Sequence, residues 1–161
     1  MQEIEDAWNL GLSIKVEKRR IGELTRRLQE LDGTEVEVGF FEDARYGPEN
    51  HNLPVAQVAA YNNFGTSFNP TRPFMDNTFE DGMNQVHMIR GVRKVFEAAL
   101  TNGRSTQRLL QVLGETIADL MREEIDDYPG SNSPSTIARK GFNDPLYDTG
   151  KMLESVRFKI N

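Results

Sequence analysis

The chain has 161 residues, 37% hydrophobic and 27% charged, with a net charge of −6 and no cysteine. That length predicts one compact domain over 1–161, and the lack of cysteine excludes a disulfide framework, a zinc–thiolate site and a cysteine nucleophile. An acidic chain with scattered basic residues is a poor duplex binder, because phosphate binding draws on concentrated Lys and Arg. No stretch approaches the ~18 consecutive apolar residues of a membrane span, and the opening Glu3, Glu5 and Asp6 are acidic where a signal peptide is basic.

Trp8, Leu10, Leu12, Ile14 and Val16 alternate with Asn9, Gly11, Ser13, Lys15 and Glu17. A period of two predicts a half-buried strand over about 8–17. Ile21, Leu24, Leu28 and Leu31 then fall three or four apart among Arg19, Arg20, Glu23, Arg26, Arg27 and Glu30, which predicts an amphipathic helix closed by Asp32-Gly33. Val36, Val38 and Phe40 alternate again, predicting a second strand over about 35–41. Residues 42–53 are rich in turn formers and predict an exposed loop.

Pro54 suits the first turn of a short helix whose inner face is Val55, Val58, Ala59 and Asn62, ending at Asn63-Phe64-Gly65. Pro70 and Pro73 impose an extended, irregular stretch over 66–73. From Phe74 to about Leu100 runs a helical pattern whose expected core face is Met75, Phe79, Val86, Ile89, Val92, Val95 and Phe96. Gly82 and Gly91 each cost about 1 kcal/mol against Ala, which allows a bend or break. Asn102-Gly103 interrupts the pattern. Ser105 can cap a further helix with core positions Leu109, Leu113, Ile117, Leu120 and Met121, running to about Asp127.

Residues 128–146 are rich in Pro, Gly, Ser and Asn. Within them Ser133-Pro134 opens, and Gly141 closes, a short helix. Asp148 can cap one or two turns through Leu153, and Val156, Phe158 and Ile160 alternate as a last strand. The expected fold is α+β: about three strands in a small antiparallel or mixed sheet, packed against a long helix and shorter ones. The last strand should return beside the earlier ones, since an isolated strand is not stable.

Asp148-Thr149-Gly150 matches the tripeptide of aspartic proteases, whose chemistry needs two carboxylates close together so that one keeps its proton. The plainer reading is a helix cap and a turn. His51 and His87 have no metal-ligand spacing. The acidic run Glu123, Glu124, Asp126 and Asp127 reads as a solvated face. The basic cluster Lys15, Lys18, Arg19, Arg20, Arg26 and Arg27 interleaves with Glu17, Glu23 and Glu30, so self-paired surface charge is the better account. No phosphate-cradling glycine loop or nucleophile elbow is present. No catalytic residue, metal or cofactor is assigned.

Five motifs then stand in order. Val36-Glu37-Val38-Gly39-Phe40 precedes Val58-Ala59-Ala60-Tyr61-Asn62-Asn63-Phe64-Gly65-Thr66. Pro70-Thr71-Arg72-Pro73-Phe74-Met75 follows. Late in the chain come Ser135-Thr136-Ile137-Ala138-Arg139-Lys140-Gly141 and Pro145-Leu146-Tyr147-Asp148-Thr149-Gly150-Lys151-Met152-Leu153-Glu154-Ser155-Val156. Together, over about residues 34–160, they resemble the neck and tail-completion (head–tail joining) proteins of tailed bacteriophages. Asn63 departs from the Glu common there, and Tyr147 from an aliphatic residue. The resemblance implies a non-enzymatic virion subunit of a neck, collar or tail-completion ring, assembled in the host cytoplasm. It implies a cyclic hexamer or dodecamer set between connector or portal and tail proteins, through which genome DNA passes without sequence-specific binding. A tail-terminator ring is the alternative station, and a protease built on Asp148 the alternative class. Candidate contacts with a neighbouring subunit or ring are Phe64, Phe68, Arg72, Tyr46, Ile137 and Lys140. Of the aromatics around Arg72, Phe74 is assigned to the core and Phe68 to an interface. Loops 42–53 and 128–146 are expected to dock on neighbouring rings and to order on assembly.

Overall fold

The structure, a computed structural model, describes residues 18–101 and 106–161. The strand expected over 8–17, the Ser105 cap and the Asn102-Gly103 break lie outside the described residues. The chain divides into two compact units, Met1–Asp32 and Gly33–Asn161.

The first unit contributes α1, Lys18–Gln29. Its sequence period holds, and Gly33 at φ 74° marks the left-handed stop. Two i,i+4 pairs lie along it, the part-buried Arg27 to Glu23 at 2.7 Å and the exposed Arg26 to Glu30 at 2.9 Å.

The second unit is α+β. Strand β1, Val36–Gly39, pairs antiparallel with β2, Arg157–Ile160, in the register Val36 opposite Ile160 and Val38 opposite Phe158. Reciprocal Glu35–Asn161 backbone bonds of 3.0 and 3.1 Å extend the ladder. The chain's last strand therefore returns to an early one as expected, in a sheet that has two strands among the described residues rather than three.

Between the strands lie α2 (Val55–Phe64), α3 (Phe74–Glu80), α4 (Gly82–Leu100), α5 (Thr106–Asp126), α6 (Pro134–Lys140) and α7 (Lys151–Glu154). The 21-residue α5 is the spine of the unit, packing on both strands and on α4. Its buried face is Leu110, Leu113, Gly114, Ile117, Ala118, Met121 and Ile125. Leu109 and Leu120, expected in the core, are only half-buried. Gly114 is required by close approach, because a Cβ there would collide with the Phe158 ring of β2. The main core joins α2, α3, α5 and α7 through Val55, Ala59, Phe74, Met121, Ile125, Met152 and Val156, with Phe40 edge-on to Phe74 at 6.1 Å between ring centres.

The helical pattern from Phe74 breaks at Asp81. Its carboxylate accepts from the Met83 and Asn84 N–H groups, each at 2.9 Å, and so caps α4. The face assigned to α4 is the main correction. Val95, Ala98 and Ala99 are its buried residues, and Gly91 lies against Leu113, where a Cβ would approach to 2.6 Å. Phe79, Val86, Ile89, Val92 and Phe96 were expected in the core and are exposed. Small side chains let α4 approach α5 closely, which turns the large ones outward.

Two local assignments also change. In α2 the inward polar residue is Asn63, one position after the expected Asn62. Gly150, at φ 77°, forms the N-terminal boundary of α7 with no side-chain cap from Asp148, while the Thr149 hydroxyl accepts from the Lys151 N–H at 3.4 Å. The signals at α6 are as read from sequence: the Ser133 hydroxyl caps it and Gly141 ends it at φ 81°.

Candidate interaction surfaces

Three of the six sequence-chosen contact residues meet in one cleft. Tyr46, Arg72 and Lys140 line a cavity of about 270 Å³ together with Asn62, Asn132 and Tyr147. Its cations are turned toward their own chain. Arg72 donates from Nη1 to Asn62 Oδ1 at 3.1 Å and from Nη2 to Asn132 Oδ1 at 3.4 Å. Lys140 Nζ donates to the Asp144 carbonyl at 2.6 Å and to the Tyr147 carbonyl. Burial holds the Lys140 ammonium below its ordinary pKa, with the Asp148 and Asp144 carboxylates pulling the other way. Burial, then the Asp148 charge, pushes the Tyr46 phenol up.

These bonds also build the segments expected to order only on assembly. Asn132 donates its Nδ2 to the Asp144 carbonyl at 2.7 Å, and its N–H to Asn143 Oδ1 at 2.8 Å. In the earlier loop the Tyr46 N–H reaches the Leu53 carbonyl at 2.9 Å and Arg45 bridges Pro54 around a single 3₁₀ turn at Pro48–Asn50. Both segments make hydrogen bonds within one chain. Ile137 is half-buried on α6 and outside the cleft lining.

Phe64 and Phe68 part from Phe74. Phe74 is fully buried, whereas Phe64 is 71% and Phe68 95% exposed. Phe68 stands on a tight turn in which Thr66 Oγ1 accepts from the Phe68 and Asn69 N–H groups at 3.2 and 3.0 Å. Gly65 at φ 74° allows that turn, since a Cβ would come within 2.7 Å of Thr71 Oγ1. The Arg72 N–H ties the returning strand to the Asn62 carbonyl at 2.8 Å. A fully exposed aromatic ring on a bonded support has the form of an interface anchor.

One continuous apolar surface lies where the sequence placed a core face. On the outside of α4, Val86, Ile89, Val92, Phe96 and Leu100 follow one another at spacings of three or four, with Ile89 66% and Phe96 50% exposed. They form one stripe about 21 Å long at 1.5 Å per residue. The sequence does carry the signal. An opposite face of α4 holds Gly91, Val95, Ala98 and Ala99, so the helix has two apolar faces, one large and one small.

Asp148 faces Arg139 at 4.0 Å. Asp144 Oδ1 accepts from the Leu146 and Tyr147 N–H groups at 3.3 and 3.0 Å. In the acidic run, Glu124 accepts from Asn77 Nδ2 at 2.8 Å. His51 and His87 are exposed, and no group of three or more His, Asp or Glu that could hold a metal occurs among the described residues. Within those residues, no helix is long and apolar enough to cross a membrane. A scan of protein-family models, a search of curated proteins and a search of solved structures each find no match to this chain.

Proposed function

We propose that the chain is a non-enzymatic structural subunit of a tailed-bacteriophage ring at the head–tail junction or tail end. In that role it links connector to tail and lets genome DNA pass. The observation that carries the reading is the outer face of α4. Five large apolar side chains, Val86, Ile89, Val92, Phe96 and Leu100, stand exposed in one row on a 19-residue helix. A contiguous apolar patch of this kind marks a surface that another protein covers. The ordered motifs from Val36 to Val156 supply the class of assembly, and Phe68 offers a second anchor beside Pro70-Thr71-Arg72-Pro73.

Light scattering across a concentration range, with and without purified phage connector or tail, tests the reading. The expected result is a discrete six- or twelve-fold assembly of the 18.3 kDa chain, alone or on its platform. A monomer under every condition would overturn it.

A further inference from the structure

The cleft lined by Tyr46, Arg72 and Lys140 holds positive charge that its own chain leaves without a counterion. Arg72 and Lys140 are half-buried. Among the described residues neither forms an ion pair with a carboxylate. The Arg72 guanidinium spends Nη1 and Nη2 hydrogens on the neutral amide oxygens of Asn62 and Asn132 and keeps further N–H donors. Lys140 spends two hydrogens on the Asp144 and Tyr147 carbonyls and keeps its third. Burial disfavours the Lys140 charge, and the Asp148 and Asp144 carboxylates, near enough to favour it, close no ion pair with it. Arg139 also lines the cleft, exposed and 4.0 Å from Asp148, the one carboxylate residue of the lining. Charge taken partly out of water with only neutral dipoles for partners is unfavourable, and an arriving counterion relieves it.

We propose that the cleft binds one side-chain carboxylate, an Asp or Glu in an exposed segment of a partner protein, between Arg72 and Lys140. The remaining guanidinium hydrogens meet one side of the carboxylate and the third ammonium hydrogen the other. The rest of the lining favours a peptide. Asn50 and Asn69 are exposed there, and among the described residues their side-chain amides are not hydrogen-bonded. Such amides pair with peptide N–H and C=O groups. A phosphate monoester would bring nearly two charges against Asp148, where a carboxylate brings one, and no glycine-rich loop of backbone N–H groups is present to cradle it. No residue of α4 lines the cleft, so its occupancy is independent of the apolar stripe and of the assembly proposed above.

Chemical-shift titration of the full-length ¹⁵N-labelled chain with N-acetyl-Gly-Glu-Gly-amide, and with the Gln counterpart, tests it. The backbone amides of Arg72, Asn132 and Tyr147 should shift with the Glu peptide at a dissociation constant of roughly 1 mM, and with the Gln peptide at least about tenfold more weakly. Asp148→Asn, at an exposed position, should tighten the Glu peptide roughly two- to fivefold by removing the like charge. Arg72→Lys keeps the charge but loses the planar fork, and should weaken it about fivefold or more. Absence of these shifts in both wild type and Asp148→Asn would overturn the site, as would equal binding of the Glu and Gln peptides. Inorganic phosphate that shifts the same amides and binds more tightly than the Glu peptide would overturn the carboxylate in favour of a phosphate ligand.

Discussion

Phe74→Ala should cost about 3–5 kcal/mol, the largest loss expected from any single truncation here. Phe74 is the largest of the fully buried side chains. It opens α3 directly after Pro73, packs edge-on to Phe40 beside β1, and belongs to the core formed with α2, α5 and α7. Its removal leaves a cavity where elements distant in sequence meet, so collapse to fill it would have to move several of them at once. Urea unfolding should show a lower midpoint with an unchanged slope. A loss under 1 kcal/mol would mean that this junction is not the centre of the core.

Asn63→Asp should be the most pH-sensitive substitution. Asn63 is 1% exposed. Its Oδ1 accepts from the Met75 N–H at 2.9 Å and its Nδ2 donates to Asp76 Oδ2 at 3.0 Å, so one amide fastens α2 to the start of α3. A carboxylate in its place could still accept from Met75 but would set a second negative charge against Asp76. The expected cost is roughly 2–4 kcal/mol at pH 7. The sign follows from linkage. Crowded carboxylates hold a proton more tightly in the folded state than in the unfolded chain, so the pair's folded pKa is raised. The variant should therefore lie closest to wild type below about pH 4 and lose stability as the pH rises toward neutrality. Melting midpoints of both proteins across that range check this; a difference independent of pH would contradict it.

The same two residues mark what the sequence made legible. The core assignment of Phe74 was readable, but the extended entry expected before it is instead a tight turn, with Pro73 at φ −78° and ψ 53° and the Phe74 N–H donating to the Arg72 carbonyl at 2.8 Å. The Asn63 clamp was not readable, because its partners lie 12 and 13 positions away and no local pattern pairs them. Helix α6 was legible from Ser133, Pro134 and Gly141, each acting through its own backbone neighbours. The antiparallel return of β2 to β1 was legible because a period-two segment at the end of the chain needs a partner strand.

The candidate surface divides in the same way. Tyr46, Arg72 and Lys140 were chosen from separate stretches of the chain and do share a cleft, yet the bond from Arg72 to Asn132 spans 60 positions and turns the guanidinium inward. On α4 the periodicity located the apolar row. It could not say which side of the helix α5 would take, and the close packing of Gly91, Ala98 and Ala99 decided that. Exposed Phe96 and Leu100, and with them the proposed assembly face, follow from that packing.

The most direct test of that face is sedimentation velocity of wild type and Phe96→Asp at matched concentrations. Phe96 lies half-exposed on the outer side of α4, so the substitution should leave the melting midpoint nearly unchanged. The expected result is wild type sedimenting as multiples of 18.3 kDa and the variant as the single chain. The same distribution for both proteins would contradict the claim that the outer face of α4 holds the assembly together.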